Sequence, residues 1–321
     1  MSLVYCGIDE AGFGPMLGPL CVSMAAVRVH EWTPGEGAPD LWKLLHPEVC
    51  RCAKDARGGR IAVADSKALK GSNSLKTRHP LRHLERGVLG FAGAMGWEVG
   101  HDEALFEAVG ARMESCDWQG GGPVGLPLDW SAGERAITVN VLSRALARAG
   151  VEVLDLRCRA MGVEEFNGLI ERAGSKAATT EAGLSEHLAH IRDRWSADSD
   201  IRIVCDRQSG RLDYTDLVRN AWGAGVEELE RSARVSRYRI GERVGIQFVP
   251  EAEDAHMPVA LASMLAKLVR ELAMMRFNRY WAQRLPELKP TAGYVQDARR
   301  WLEDAAGVVS PEERRAMIRI A

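Results

Sequence analysis

What the 321-residue chain lacks narrows its class first. No stretch approaches the roughly 18 apolar residues of a membrane span; the longest, such as Cys21–Val29, have the length of a strand. The start has no basic head, apolar core and small-residue cleavage site, so no secretory signal is expected. Seven cysteines occur, an odd number without paired spacing. Cys50 and Cys52 make a C-x-C, and His187 and His190 have no cysteine near them, so neither a disulfide framework nor a zinc site is expected. Reduced thiols and a cytoplasmic location are. Net charge is also nearly absent: 42 Lys and Arg stand against 44 Asp and Glu, a formal −2. That excludes a polybasic coat protein for nucleic acid, though not a local basic patch. Internal repeats and low-complexity tracts are missing too. With 46% hydrophobic and 27% charged residues, the composition is that of a folded globular chain, not a disordered, collagen-like or coiled-coil one.

What is present alternates between strand and helix patterns. Leu3–Asp9 and Leu20–Val29 are apolar and β-leaning, joined by the Gly- and Pro-rich Glu10–Pro19, and read as an antiparallel pair. Further strands are predicted at Ile61–Ser66, Val151–Arg159, Ile201–Asp206, Val235–Ile240 and Val244–Val249. Helical periodicity marks Leu81–Met95, Glu134–Ala149, Val163–Ala173, Glu181–Trp195, Gln296–Ala305 and Pro311–Ile318. The strongest helix is Pro258–Arg284, with a proline suited to its first turn and an apolar stripe at 261, 265, 268, 269 and 272. Residues 115–131 hold Gly120-Gly121-Gly122-Pro123 and read as a surface excursion. Together these predict an α/β sheet with helical flanks. The bland total charge is a sum of unlike parts. Residues 51–86 carry ten Lys/Arg against three Asp/Glu, residues 262–300 eight against three, and residues 96–135 two against eight.

Three acidic sites stand where chemistry could occur. Asp9-Glu10 ends an apolar strand and is followed at once by glycines, which let backbone approach a ligand closely. Asp206 ends another apolar strand. Glu251-Ala252-Glu253-Asp254 follows a third, just before the long helix. Any one of these has a plain reading, as an exposed strand end or a favourable charge near a helix N-terminus. Three in one chain point to a shared carboxylate cluster, because buried carboxylates need a partner and hard divalent cations want oxygen donors. On the long helix Ser263, Lys267 and Arg270 fall on one face, suited to phosphate oxygens or simply to solvent. Asp65-Ser66-Lys67 closes a short strand, and Gly293-Tyr294 lies in a loop where a tyrosine could stack on a sugar or base or simply pack.

At these residues the chain resembles the type 2 ribonucleases H, ribonuclease HII and HIII. Asp9-Glu10-Ala11-Gly12-Phe13-Gly14-Pro15-Met16-Leu17-Gly18-Pro19 is similar to the opening D-E-A-G-R-G-P-x-x-G-P. Asp65-Ser66-Lys67 is similar to D-S-K, Ala262–Lys267 with Val269-Arg270 to A-S-I-I-A-K and V-x-R-D, and Ala292-Gly293-Tyr294 to K-G-Y. The motifs run in order from residue 9 to about 300. The resemblance implies an RNase H-like fold: a mixed five-stranded sheet flanked by helices, with a helical C-terminal part (about 258–321) and a long internal insertion (about 96–150), all in one catalytic domain spanning 1–321. It implies two Mg²⁺ or Mn²⁺ ions held by Asp9, Glu10, Asp206 and a fourth acid. The family's Asp precedes a Pro by four residues, which fits Asp254 and Pro258; gapless counting lands on Glu253 instead. Asp254 is the residue expected. Gly12, Phe13 and Gly14 would meet the ribose 2′-hydroxyl largely through backbone, Tyr294 would stack on the sugar, and Ser263, Lys67, Lys267 and Arg270 would serve the substrate, the three cations holding phosphates.

The activity so implied is cleavage of the RNA strand in an RNA–DNA hybrid, or at a ribonucleotide embedded in duplex DNA, leaving 3′-hydroxyl and 5′-phosphate ends. No membrane partner is implied, and no protein partner can be named. Two departures stand out: Phe13 replaces the family arginine, and Arg207 follows Asp206 where the family has glycine. They keep alternatives open, namely a non-catalytic or altered-specificity hybrid-binding relative and an RNase H-like nuclease shifted to DNA.

Overall fold

The computed structural model describes residues 1–72, 78–197, 199–208 and 210–320; Lys76 of the first basic segment lies outside them. Strand β1 (Leu3–Ala11) turns through the glycine loop into β2 (Leu20–Val29). A single turn α1 (Leu41–Leu44) leads to a two-residue parallel pair, β3 (Val49–Cys50) and β4 (Ile61–Ala62), and then to another single turn, α2 (Ser66–Leu69). Helices α3 (Arg82–Ala94), α4 (Asp102–Ala108) and α5 (Ala132–Arg148) precede β5 (Val151–Met161). Helices α6 (Val163–Ala173) and α7 (Ala177–Trp195) lead to β6 (Asp200–Asp206), α8 (Thr215–Trp222), β7 (Val226–Arg231), β8 (Ser236–Ile240) and β9 (Val244–Val249). The chain finishes with α9 (Met257–Arg284), α10 (Val295–Asp304) and α11 (Pro311–Met317).

The main sheet runs β5-β2-β1-β6-β9-β8-β7. β1, β6 and β9 are parallel neighbours; the β2 and β5 flank and the β8 and β7 flank are antiparallel. This is the mixed sheet flanked by helices, with a helical C-terminal part, that the motifs imply. It is two strands wider than the five expected. β8 shows in the sequence, but β7 does not: Val226–Arg231 reads V-E-E-L-E-R and is mostly exposed, so no apolar alternation announces it. It exists by pairing with β8, where Glu227 meets Arg239 and Glu230 meets Arg237 across the strands.

β1 is buried on both faces because a helical layer covers each. Val4, Cys6 and Ile8 pack with residues of α7 and α8, while Leu3 and Tyr5 share a core with α9 and α3. The approach of α9 is so close that a Cβ at Gly7 would lie 2.1 Å from the Val259 nitrogen; glycine there is a steric requirement. Helix α9 also departs from the expected stripe. From Met257 to Arg270 every residue is buried, because sheet and helices enclose it on all sides. A helix buried all round has no amphipathic signature to read.

The stretch 115–131 is a surface excursion only in part. Trp118, Val124, Leu126 and Trp130 are buried, and Trp118 lies edge-on to Phe277 of α9 at 5.9 Å between centroids. The acidic segment is anchored by an internal ion pair: Arg276 on α9 donates to both Asp102 oxygens at 2.6 and 2.7 Å and to Glu103 at 3.0 Å. His187 is buried with its Nε2 on the Val22 carbonyl, and His190 pairs with Asp155. All seven cysteines are free. No helix among the described residues is long and apolar enough to cross a membrane.

Candidate active site

Parallel pairing puts three acids at one sheet end. In the register, Ile8 of β1 pairs with Cys205 of β6, so Asp9 follows on one strand where Asp206 follows on the other, and Asp206 pairs with Val249 at the end of β9. The carboxyl ends of adjacent parallel strands form the usual ligand crevice of such sheets. Asp9 is 7% exposed. Its Oδ1 accepts the Glu10 N–H at 2.7 Å, and Ser263 of α9 hydrogen-bonds its carboxylate. Ser263 Oγ also shares a hydrogen bond with Ser66 Oγ at 3.0 Å. Asp206 accepts the Ala252 N–H at 3.1 Å. The residue before, Glu251, has φ of +51°, a left-handed turn unusual outside glycine. It swings the chain after β9 back over the strand ends.

That turn sets Glu253 and Asp254 apart. Glu253, not Asp254, is brought beside the other three: it acts electrostatically on Asp9, Glu10 and Asp206, and its Oε2 is buried without a hydrogen-bond partner. Asp254 is exposed, and its carbonyl accepts from Arg51 at 2.7 Å. The short helical turn over 252–254 sends the two side chains in different directions, which counting along a chain does not reveal.

The four carboxylates are in conflict. Burial first, then Glu10 and Asp206, push the Asp9 carboxyl well above its ordinary range. Burial and Asp206 raise Glu10 to about 7. Asp206 and Glu253 are raised too, chiefly by burial, with Asp206 adding to Glu253. Lys67 is a cation that faces them. Burial works against its charge, but Asp65, Asp9, Glu253 and Asp206 together raise its pKa. Asp65 holds it there by capping α2, accepting from the Lys67 and Ala68 N–H groups. Arg207 supplies no second cation, because its guanidinium turns away to the Ser232 and Ala233 carbonyls. Among the described residues no three His, Cys, Asp or Glu side chains close into a ready-made cage. The donor set is nonetheless all oxygen, mutually repelling and provided with an orphaned carboxylate oxygen, which suits a hard divalent ion.

The other expected site residues divide. Phe13 and Tyr294 stand out from the surface, 37% and 50% exposed. A side chain at Gly14 would meet open space, whereas Gly12 has φ of +95° and lies against the Pro19 carbonyl and Arg270. Ser263, Lys267 and Arg270, expected on an accessible face, are all buried. Ser263 serves Asp9. Lys267 pairs with Glu271 at 2.9 Å and lies 5.8 Å over the Tyr294 ring. Arg270 is fully buried beneath the glycine loop and donates to the Leu17 and Ala292 carbonyls. In this position it shapes the loop rather than reaching a phosphate.

One loop-shaping residue carries no sequence signal. Arg319 donates to the Gly12 carbonyl at 2.6 Å and to that of Pro15, and its N–H binds the Met16 carbonyl at 2.9 Å. Burial and the nearby Arg270 lower its pKa to about 9. On the other side the Gly293 carbonyl accepts from Met16 and Leu17. The loop is thus strapped to two segments about 280 and 300 residues away in sequence.

No family model and no curated protein matches the chain. Among solved structures the chain is similar to ribonuclease HII of Archaeoglobus fulgidus in a complex with PCNA, at 15% identity and TM-score 0.41, over 99% of this chain and 94% of that one. It is similar to Bst-RNase HIII in complex with Mn²⁺ at 16% identity and TM-score 0.40, over 99% of this chain and 66% of that one. It is also similar to ribonuclease H2 of Pyrococcus horikoshii OT3 at 16% and 0.39, over 98% and 93%.

Proposed function

We propose that this protein is a divalent-metal-dependent endoribonuclease that cuts the RNA strand of RNA–DNA hybrids or at ribonucleotides embedded in duplex DNA, working as one catalytic unit over residues 1–321. The observation that carries the reading is the set of Asp9, Glu10, Asp206 and Glu253 at the ends of three adjacent parallel strands, each raised in pKa and faced by Lys67. Beside them lies the glycine loop whose motif the family shares.

Mg²⁺ or Mn²⁺ would be held by Asp9, Glu10, Asp206 and Glu253. When bound, such ions activate a water and stabilise the charge that develops on the leaving 3′-oxygen. The protein's own residues do the rest. Ser263 orients the Asp9 carboxylate, and the Ala252 N–H orients that of Asp206. Arg270 and Arg319 hold the glycine loop from beneath, so its outer backbone is presented to a ribose. Lys67, exposed beside the acids, is placed to take a phosphate oxygen, and Tyr294 to meet the sugar. The test is cleavage of three duplexes, all-DNA, single-ribonucleotide and RNA–DNA hybrid, with Mg²⁺ and Mn²⁺. Metal-dependent cuts only where RNA is present, leaving 3′-hydroxyl ends, are the expected result. Cutting of the all-DNA duplex at an equal rate, or no cutting at all, overturns the reading.

A further inference from the structure

The exposed ring at the tip of the glycine loop is not alone. Lys176 places its Nζ 5.1 Å from the centroid of Phe13 and 5.9 Å from that of Phe166. Phe166 is fully buried, and its ring also carries the Arg319 guanidinium, 4.4 Å away. A row of cation, ring and cation therefore runs from the core to the loop surface, ending in Phe13. Among the described residues no carboxylate pairs with Lys176. The charged group that acts on it is Arg319, and burial together with that neighbour lowers its pKa. A half-buried ammonium beside a second cation, with no acid to answer it, is an electrostatic vacancy for an anion. The aromatic faces hold it in place by cation–π attraction.

The anion chemistry follows from the position. Phe13 lies four residues past Asp9, on the loop that opens from the carboxylate cluster. An exposed ring next to an unanswered cation offers one face to a sugar or base and one charge to a phosphodiester, a pairing that suits a nucleic acid backbone. A small anion would leave the ring without a role.

We propose that Phe13 and Lys176 form a backbone-contact site for the strand that crosses the carboxylates, the ring packing on a sugar and the ammonium binding a non-bridging phosphate oxygen. This rests on the functional reading above and adds a specificity-determining contact to it. The second cationic contact to the strand, beside Lys67, thus comes from the residue just before α7, some 110 residues further along the chain.

The experiment compares full-length wild type with Lys176→Met, which keeps the apolar stem and removes the charge, and with Lys176→Arg. Binding of a labelled RNA–DNA hybrid is followed by fluorescence anisotropy in EDTA over a KCl series, and cleavage by steady-state kinetics with Mg²⁺. For Lys176→Met the expected result is binding weaker by about tenfold at low salt and a slope of log K against log salt shallower by about 0.9. KM should rise, with kcat and thermal midpoint unchanged, and Lys176→Arg should restore wild-type behaviour. Unchanged affinity and salt slope in Lys176→Met, in a wild type that binds and cuts the hybrid, overturn this contact and leave the functional reading standing. A wild type that neither binds nor cuts any ribonucleotide-containing duplex removes the functional reading, and this contact with it.

Discussion

Two of the places where the protein buries acids are treated oppositely. Asp102 of α4 is fully buried, but Arg276 meets both its oxygens and the Val124 and Glu103 N–H groups donate to it as well. Its charge is answered in full. At the strand ends Asp9, Glu10, Asp206 and Glu253 crowd together with Lys67 facing them, and their pKa values all rise. The first arrangement holds an excursion of the chain against α9. The second stores repulsion that a divalent ion would relieve. Both are buried polar clusters; one has a matched counter-charge and the other does not.

Substitutions should split the two regions cleanly. Asp9→Asn is expected to lower hybrid cleavage by about 10⁴-fold, some 5 kcal/mol of barrier, while the protein stays folded by circular dichroism. Asp102→Ala should do the reverse. It strands Arg276 and is expected to lower stability in urea unfolding by about 3–5 kcal/mol, with kcat of the surviving folded fraction near wild type. If Asp102→Ala is as stable as wild type, the internal pair is not what anchors residues 96–135. Next in size is the choice of fourth acid: Glu253→Gln should reduce cleavage about 100-fold and weaken Mg²⁺-induced thermal stabilisation, whereas Asp254→Asn should change neither more than about twofold. Equal effects of the two would dissolve the distinction drawn from the turn at Glu251.

The smallest effect reads the stored repulsion directly. A carboxyl whose folded pKa is raised binds a proton more readily folded than unfolded, so its region loses stability as pH climbs from the unfolded value through the folded one. For Glu10 that window runs from about 4 to about 7. In EDTA, Glu10→Gln should match wild type near pH 4 and exceed it at pH 8 by on the order of 3 kcal/mol. Saturating Mg²⁺ should abolish the advantage. A pH-independent difference would mean that Glu10 feels no such field.

The same comparison explains what could be read from residues alone. Asp9, Glu10 and Asp206 announce themselves because each ends an apolar strand, and a strand's alternation is local. Glu253 does not, because the choice between it and Asp254 lies in one left-handed residue. The basic segment 262–300 misleads for a related reason: two of its arginines are answered by acids elsewhere in the fold, Arg276 by Asp102 and Arg284 by Glu313. Charge counted along a chain does not know its partners.

Local pattern was therefore enough for most helices, for the β1–β2 pair and its glycine loop, for the mixed α/β class and for placing Asp9, Glu10 and Asp206 at strand ends, because periodicity and strand ends are properties of neighbouring residues. The strap of Arg319 on the glycine loop, the burial of Lys267 and Arg270, the pairing of β7 and the cation over Phe13 were settled only in three dimensions. Each joins groups far apart in sequence, and whether a charge faces solvent, an acid or another cation is decided by packing.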